Sequence, residues 1–179
     1  MTLIDWDENK PQPTEYIDYY EDYIDLVTTP NVVQQLIGQG QEVYALIRKL
    51  SDERADYRYA KAKWSVKEVI GHLIDTERIM ACRTLCIVRG EQQSLPGFDQ
   101  DEYVRQAQFG KRSLQSLMAE YDAQRNANIS LFSSFNEPQI NKAGAADGAT
   151  ISVRALVYII AGHERHHLNV LEEKYGINT

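Results

Sequence analysis

The chain has 179 residues with 19 basic and 26 acidic side chains, a formal net charge of -7 and a pI near 5.1. Because so acidic a chain offers no basic surface, we expect neither nucleic acid nor a membrane as a partner. Its length suits one domain, and it has neither a bilayer-spanning apolar run nor a signal peptide, so we predict a single cytoplasmic domain over residues 1–179.

The N-terminal arm, residues 1–28, is acidic and rich in tyrosine. Pro11 and Pro13 keep its start extended, so a short helix can form only after them. We expect the tyrosines of this arm to dock it on the rest of the protein rather than to stack on a ligand. They are Tyr16, Tyr19, Tyr20 and Tyr23.

Two amphipathic helices are predicted next. Thr29-Pro30 places a capping threonine before a proline at the first helical position, and apolar residues then recur at helical spacing as far as Leu50. Ser65-Val66-Lys67-Glu68 has the pattern of a capping box and opens a second helix that runs to about Val88.

The connection after the second helix, residues 89–110, is predicted to be a long loop. A helix of about 24 residues is roughly 36 Å long, whereas about twenty extended residues reach about 70 Å. The connection can therefore cross the bundle and start the third helix parallel to the second. That helix is predicted from about Lys111 to Phe135.

The last predicted helix follows a segment of small residues, 143–149, which is predicted to be a loop. Either Thr150 or Ser152 can cap this helix, and the sequence shows no strand-like alternation. These elements predict an all-α fold. It is an up-down-down-up four-helix bundle over residues 29–175, with a long crossover between helices 2 and 3 and a short N-terminal helical arm.

The fourth predicted helix contains Gly162-His163-Glu164-Arg165-His166-His167, and so three of the four histidines of the chain. Side chains four residues apart lie one turn above each other on a helix, so His163 and His167 can direct their imidazoles at one ion. His72 lies on the second helix, which can face the fourth. Three neutral imidazoles with open positions are typical of a catalytic metal centre rather than a closed structural one.

The same segment also matches His-Glu-x-x-His, the signature of zinc proteases. In that class a third ligand follows downstream. After His167 the chain has no further histidine, and one uninterrupted helix cannot fold Glu172 back to the same ion. A second alternative places the two histidines on a solvated face, but that face is otherwise apolar, which favours an inward position.

Three residues near the histidines have two interpretations each. Glu164 lies close enough to the histidine pair to act as general base on a metal-bound water, or it forms an ion pair. Asp75, one turn from His72, orients that histidine through its second nitrogen or is an exposed carboxylate. His166 lies on the other flank of the helix, and we expect a surface or supporting residue there rather than a fourth ligand.

Two arginines fall on apolar faces, Arg83 on the second helix and Arg125 on the third. Buried arginines need partners, so we expect each to pair with a carboxylate inside the bundle or, alternatively, to anchor a carboxylate of a substrate. Cys82 and Cys86 lie about 15 and 21 Å beyond His72 along the helix axis, too far to share its metal. We expect both to be free core thiols.

Three segments carry a resemblance to a known family: WSVKEVIGHLIDTERI at residues 64–79, PGFD at 96–99 and AGHERHH at 161–167. Together they strongly resemble the DinB-like superfamily of metal-binding four-helix bundles, which includes bacillithiol transferases. The resemblance implies that His72, His163 and His167 bind a divalent metal, namely nickel, zinc or iron. It also implies a bundle that is often a homodimer.

The family does not supply a substrate, because its members include thiol S-transferases, an isomerase and proteins with no known reaction. We therefore expect a metal-dependent enzyme that transfers a small thiol of the bacillithiol type to an electrophile, or that hydrolyses a small substrate. The alternative is a metal-binding stress-response or ligand-binding protein without turnover, since metal ligands and a pocket would serve either role.

Overall fold

Four long helices form the framework of the computed structural model, which describes residues 6–7 and 9–177. They are α2 (Val32–Lys49), α4 (Val66–Arg89), α6 (Leu114–Ser133) and α8 (Val153–Tyr175). The shorter helices are α1 (Glu21–Asp25), α3 (Asp52–Asp56), α5 (Gln100–Ala107) and α7 (Glu137–Ile140). An antiparallel hairpin pairs β1 (Ala143–Ala146) with β2 (Ala149–Ser152), and 3-10 turns occupy Pro13–Glu15, Asp18–Tyr20 and Phe109–Lys111.

The long connection between α4 and α6 leaves these two helices parallel. The Gln124 side chain of α6 donates to the Ile74 carbonyl of α4 at 2.8 Å, and further along both helices Asn128 donates to Glu77 at 3.0 Å. Because the contacts advance along both helices together, α4 and α6 run in the same direction.

Helix α8 runs alongside α2 in the same direction and opposite to α4. Gln39 donates to the Ala161 carbonyl at 2.9 Å, and about one turn further along both helices Glu42 accepts from Arg165 at 2.7 Å. The end of α8 in turn bonds to the residue before the capped start of α4. The predicted up-down-down-up bundle with its long crossover is therefore confirmed.

Buried apolar side chains form two clusters, one toward each end of the bundle. The first includes Leu36, Met80, Phe132 and Leu156, and the second includes Val43, Ile70, Leu117 and Leu168. Between them lies a layer of buried polar residues: Gln39, Thr76, Glu77, Arg125, His163 and Glu164, with His72 one turn toward the second cluster. Across the described residues, no helix combines the length and the apolar character needed to cross a membrane.

The helix starts follow their capping residues. The predicted capping box is present at α4, where the Ser65 hydroxyl accepts from the Glu68 N–H and the Glu68 carboxylate accepts from the Ser65 N–H. Ser152 caps α8, as one of the two predicted candidates. The predicted cap of α2 at Thr29 is wrong, because the Asn31 side chain accepts two N–H groups of the first turn and α2 begins after it.

Two segments that were predicted to be loops contain regular structure. The connection after α4 includes α5, and the segment of small residues forms the β1–β2 hairpin. Asp147-Gly148 has positive φ at both positions, 52° and 74°, as a type I′ hairpin turn requires. Leu95 of the connection bonds on both sides of Ala146 at the end of β1, accepting from the Asp147 N–H and donating to the Ala145 carbonyl, each at 2.9 Å. The hairpin was missed because its alanines and glycines show no apolar alternation.

The N-terminal arm docks on α8 through α1, and Tyr16 and Tyr20 pack against the first apolar cluster, as expected of the arm's tyrosines. Ile24 is fully buried in the first apolar cluster. The main chain of Tyr23 lies so close to Gly162 that a Cβ added there would fall 1.7 Å from the Tyr23 oxygen, so only glycine fits. An ion pair of 2.6 Å between Glu15 and Arg154 holds the start of the arm to the same helix.

Candidate metal centre

Three histidines converge where α4 packs against α8. His72 comes from α4, and His163 and His167 come from successive turns of α8. The nitrogen atoms that they offer lie within 4.8 Å of one another, and Nε2 of His72 is 2.9 Å from Nε2 of His163. One ion placed among these nitrogens is within reach of all three side chains. We call these residues the histidine cluster.

The imidazoles of the histidine cluster are held in their neutral form by burial. Desolvation lowers the pKa of His72 to about 4 and, together with the neighbouring histidines, lowers the pKa of His167 to about 3. Burial and the other histidines also lower the pKa of His163 well below its usual value. Because neutral imidazole is the form that binds metals, the cluster presents free lone pairs near neutral pH.

Two neighbouring side chains orient the His72 ring. Thr76 Oγ1 lies 3.3 Å from Nδ1 of His72, and the Trp64 ring packs on the imidazole with 4.6 Å between the ring centroids. The sequence offered Asp75 for this orienting role, and that interpretation is wrong. The Asp75 carboxylate lies 3.6 Å from Arg78 instead, on the half-exposed side of the helix.

The donor set of the cluster fits a divalent cation. Within residues 6–7 and 9–177, the buried Nδ1 of His167 has no hydrogen-bond partner, and an unpartnered buried nitrogen of this kind is unfavourable in a folded protein. Imidazole is a ligand that zinc, nickel and iron accept. We therefore interpret the three neutral imidazoles, one of which has a buried nitrogen without a described partner, as metal ligands rather than as side chains that only fill the core.

A buried ion-pair network lies next to the histidines and joins α4 and α8 to α6. Arg125 of α6 contacts Glu77 of α4 at 2.8 Å and Glu164 of α8 at 2.6 Å. Tyr121 donates to Glu164 at 2.8 Å, and Asn128 donates to Glu77 at 3.0 Å. We call these five residues the arginine network. Both carboxylates in it have a positive charge and a neutral donor as partners.

The arginine network determines which interpretation of Glu164 the geometry favours. Both oxygens of this carboxylate accept hydrogen bonds from Arg125, and one also accepts from Tyr121. These contacts favour the ion-pair alternative over a general base. His166 packs its ring against Tyr23 and His167 and does not join the cluster, as expected.

A cavity of about 600 Å³ opens beside the histidine cluster, with His72, His163 and Thr76 in its wall. The remaining wall comes from the arm, α4, α8, the connection and the hairpin: Ile17, Tyr19, Tyr20, Tyr23, Met80, Arg83, Phe98, Asp99, Gln100, Asp101, Asp147 and Ile159. Three of the four arm tyrosines, Tyr19, Tyr20 and Tyr23, therefore line a pocket, a position that the sequence interpretation had judged less favourable than docking alone.

Several cavity residues were missed from the sequence. Thr76 could have been found, because it follows His72 by one helical turn and a hydroxyl there can reach the ring. Tyr23, whose ring centroid is 5.5 Å from that of His163, and Asp147 could not. Their positions depend on how the arm and the hairpin pack against α8 and α4.

The two buried arginines differ. Arg125 pairs with carboxylates inside the bundle, as expected. For Arg83 this expectation is wrong: it is also buried, but it forms no ion pair with any carboxylate that the structure describes. Its side chain donates to the Pro96 carbonyl at 2.6 Å and contacts the Met80 sulfur at 3.5 Å. It lines the cavity, which suits the alternative of an anchor for a ligand.

The two cysteines are free thiols, but they are not core residues as predicted. Cys82 is exposed and Cys86 is half-buried. Neither contributes to the wall of the cavity.

Comparison with known proteins gives matches along most of the chain. The family model of the DinB superfamily matches residues 35–171. A protein of Oceanobacillus iheyensis with the provisional name metal-dependent hydrolase is 24% identical over 123 residues, which is 68% of this chain and 70% of that protein.

Two solved structures share the fold. YfiT from Bacillus subtilis, described as a probable metal-dependent hydrolase with an unusual four-helix bundle topology, has a TM-score of 0.70 and 14% identity, covering 93% of each chain. YjoA from Bacillus subtilis, described as DinB-like, has a TM-score of 0.57 and 18% identity over 78% of this chain and 85% of that chain. At these identities the similarity shows a shared four-helix bundle and leaves the reaction to be argued from the site.

Proposed function

The chain belongs to the DinB superfamily, and from that premise we propose that it is a metal-dependent enzyme with His72, His163 and His167 as its metal ligands. One observation carries the proposal. Three neutral imidazoles from two helices, two of them buried and the third half-buried, converge on one point beside a cavity large enough for a small molecule.

The residues around the cluster would each have a definite task. A divalent cation, whether zinc, nickel or iron, would when bound lower the pKa of a thiol or a water and hold it against an electrophile. Three protein ligands leave further positions for such a group. Thr76 holds the His72 ring through Nδ1, Tyr23 packs against His163, and the arm shields the site from bulk water.

We further propose that the activated group is a small thiol of the bacillithiol type. Attack by water is commonly assisted by a general base, but Glu164, the nearest candidate, is bound by Arg125 and Tyr121. A thiol needs less help, because its unperturbed pKa is already about 8.5. In the reaction its proton passes to solvent, a sulfur–carbon bond forms, and the leaving group departs with the electron pair of the bond that breaks.

Hydrolysis of a small substrate is the second candidate. It is favoured by the names of the relative from Oceanobacillus iheyensis and of YfiT, both of which refer to a metal-dependent hydrolase. The third possibility is a metal-binding stress-response or ligand-binding protein without turnover, which would use the same ligands and cavity.

An assay of the purified protein separates these possibilities. The protein is loaded in turn with zinc, nickel and iron(II), and its metal content is measured. It is then tested with a low-molecular-weight thiol and a chlorinated nitroaromatic, and in parallel with a panel of esters and amides without thiol. His163→Ala removes a proposed ligand, and His166→Ala, on the same helix but outside the cluster, is the matched control.

Thiol-dependent turnover that is lost in His163→Ala and kept in His166→Ala would support thiol transfer. Turnover of esters or amides without thiol would support the hydrolase. Bound metal with no turnover in either assay would leave the non-catalytic role. A protein that binds no metal, or a His163→Ala variant that binds it as well as the native chain, would contradict the proposal as a whole.

Assembly and location are also proposed rather than observed. We propose one domain over residues 1–179, a homodimer and a cytoplasmic location; the dimer is supported by the family resemblance and by the aromatic arm from Tyr16 to Tyr23. Light scattering tests the dimer directly. A mass near the 20.5 kDa of one chain at micromolar concentration would contradict it.

A further inference from the structure

We propose that Arg83 binds a carboxylate of the small molecule that occupies the cavity, at a distance from the histidine cluster. The inference rests on the proposed function and narrows its substrate class to small molecules that carry a carboxylate several bonds away from the group that reacts. Arg83 would thus be a specificity-determining residue rather than a catalytic one.

The hydrogen bonds of Arg83 leave part of its guanidinium free. The side chain is 4% exposed, and its two terminal nitrogens bond to the Pro96 carbonyl and the Met80 sulfur. Nε has no hydrogen-bond partner among the residues that the structure describes. Because a buried charge without a counter-ion is unfavourable, and an arginine edge matches a planar carboxylate in geometry, the free nitrogen marks a place for an anion.

The position of Arg83 links this anion site to the histidine cluster. Arg83 and His72 lie on the same helix, three turns apart, and both line one cavity. The contact with Met80 shows that the arginine leans toward the start of α4, and so toward His72. Three turns of helix span about 16 Å, so the leaning side chain leaves on the order of 10 Å between the two sites. A ligand that reaches both must be extended.

The neighbours of Arg83 favour a carboxylate over a more highly charged anion. The Phe98 ring lies below the guanidinium, 5.9 Å from its carbon to the ring centroid, and the Tyr20 hydroxyl is within hydrogen-bonding reach. Asp99, Asp101 and Asp147 also line the cavity. Three acidic side chains would repel a doubly charged phosphate more strongly than a singly charged carboxylate.

A purely structural role for Arg83 would be to fasten the connection through the Pro96 carbonyl. Two variants separate the roles. Arg83→Gln keeps an amide donor for that carbonyl but removes the charge. Arg83→Lys keeps the charge but loses the planar edge that can hold both oxygens of a carboxylate. Circular dichroism and thermal melting establish that each variant is folded.

Binding is measured by calorimetry on the full chain loaded with zinc. The ligands are mercaptooctanoate, which carries a thiol and a carboxylate at opposite ends of its chain, mercaptooctanamide, which lacks the charge, and octanoate, which lacks the thiol. A hydrogen bond to a charged group contributes about 1.5–3 kcal/mol, so we expect Arg83→Gln to bind mercaptooctanoate roughly 10- to 100-fold more weakly. The native chain and Arg83→Gln should bind mercaptooctanamide with equal affinity. For mercaptooctanoate, the affinity of Arg83→Lys should lie between those of the native chain and of Arg83→Gln.

Equal binding of the acid and the amide by the native chain would overturn the inference. So would an equal loss of both in Arg83→Gln. A fourth ligand, mercaptooctyl phosphate, carries a phosphate in place of the carboxylate, and tighter binding of it than of the acid would also overturn the inference. The same titrations on His167→Ala, which lacks a proposed metal ligand, distinguish failure of the metal proposal from failure of the Arg83 proposal. If the metal proposal fails, the preference for acid over amide and the binding of octanoate still report on Arg83. If only Arg83 fails, zinc-dependent binding of the amide remains.

Discussion

The histidine cluster and the arginine network occupy neighbouring positions on the same helices, but their polar groups are partnered in opposite ways. Helix α4 contributes His72 to the first and Glu77 to the second, and α8 contributes His163 and Glu164. In the network every charge meets an opposite charge. In the cluster no counter-charge is present, the rings face one another, and burial keeps them neutral.

The difference shows how one bundle can hold a fully paired polar core next to a site that is able to bind a cation. Arg125 takes up both nearby carboxylates, so neither Glu77 nor Glu164 is free to bind a cation among the histidines. The cluster then consists of neutral donors alone. A cation held by neutral ligands keeps its full charge, which is the condition under which it acidifies a bound group most strongly.

Breaking the network should have the largest effect. Arg125→Met leaves two buried carboxylates without a counter-charge, and we expect the free energy of unfolding to fall by about 3–5 kcal/mol. Urea denaturation at neutral pH measures it. Adding Glu77→Gln and Glu164→Gln to the same chain should restore part of the loss, because amides do not repel each other. A loss below about 1 kcal/mol in Arg125→Met would mean that the network is not a stabilising unit.

Breaking the cluster should affect metal binding rather than folding. His167→Ala removes a half-buried ring with an unpartnered nitrogen, so we expect unfolding to change by about 1 kcal/mol or less. Zinc affinity should fall by more than about 100-fold, which exceeds the effect of losing an outer partner. Calorimetric titration with zinc gives the affinity, and His166→Ala serves as the control. Equal zinc affinity in both variants would contradict the assignment.

The histidine cluster should also make the stability of the metal-free protein depend on pH. The folded pKa of His72 is about 4, below the unfolded value near 6.5, so below pH 6.5 the unfolded chain binds a proton that the folded chain does not. Stability contributed in this way is complete above the unfolded value and is lost as the pH falls toward 4. We expect about 1.4 kcal/mol per pH unit from this residue in the metal-free protein.

Denaturation of the metal-free chain between pH 7.5 and 5.5 tests this prediction. The control is His72→Ala, whose stability should fall less steeply over the same interval. Parallel slopes for the native chain and the variant would show that His72 titrates normally in the folded state.

The smallest expected effect comes from Thr76. Thr76→Val keeps the shape of the side chain but removes the hydroxyl near Nδ1 of His72. Outer partners of metal ligands contribute about 10- to 100-fold to affinity, and this contact is long at 3.3 Å, so we expect a loss of about tenfold or less in zinc affinity. Unfolding in urea should be nearly unchanged. A loss as large as that of His167→Ala would make Thr76 more than an orienting residue.

The sequence was most informative where local rules decide the structure. Capping at Ser65 and apolar spacing located the long helices, and the length of the connection indicated that α4 and α6 are parallel. The four-residue spacing of His163 and His167 placed both on one face. None of these inferences depended on how distant segments pack.

The sequence was least informative where two elements meet at a particular register. Whether Glu164 faces a cavity or an arginine depends on the relative axial position of α6 and α8. The spacing of apolar residues does not determine that position to better than one helical turn. Arg83 illustrates the same limit, because Pro96 and Phe98 reach it only through the folded connection. The hairpin depends on Leu95 pairing beside it, and only its Asp-Gly turn was visible locally.

The docking of the arm on α8 also sets an order of events during synthesis. Glu15 and Arg154, which join the arm to that helix, are 139 residues apart. A ribosome releases the arm well before α8, so the contacts between the two can form only after Arg154 and the helix that it begins have been made. Until then only His72 of the histidine cluster has been made. The full set of three imidazoles therefore exists only once His167 has left the ribosome, and a cation held by all three would be captured only after that point.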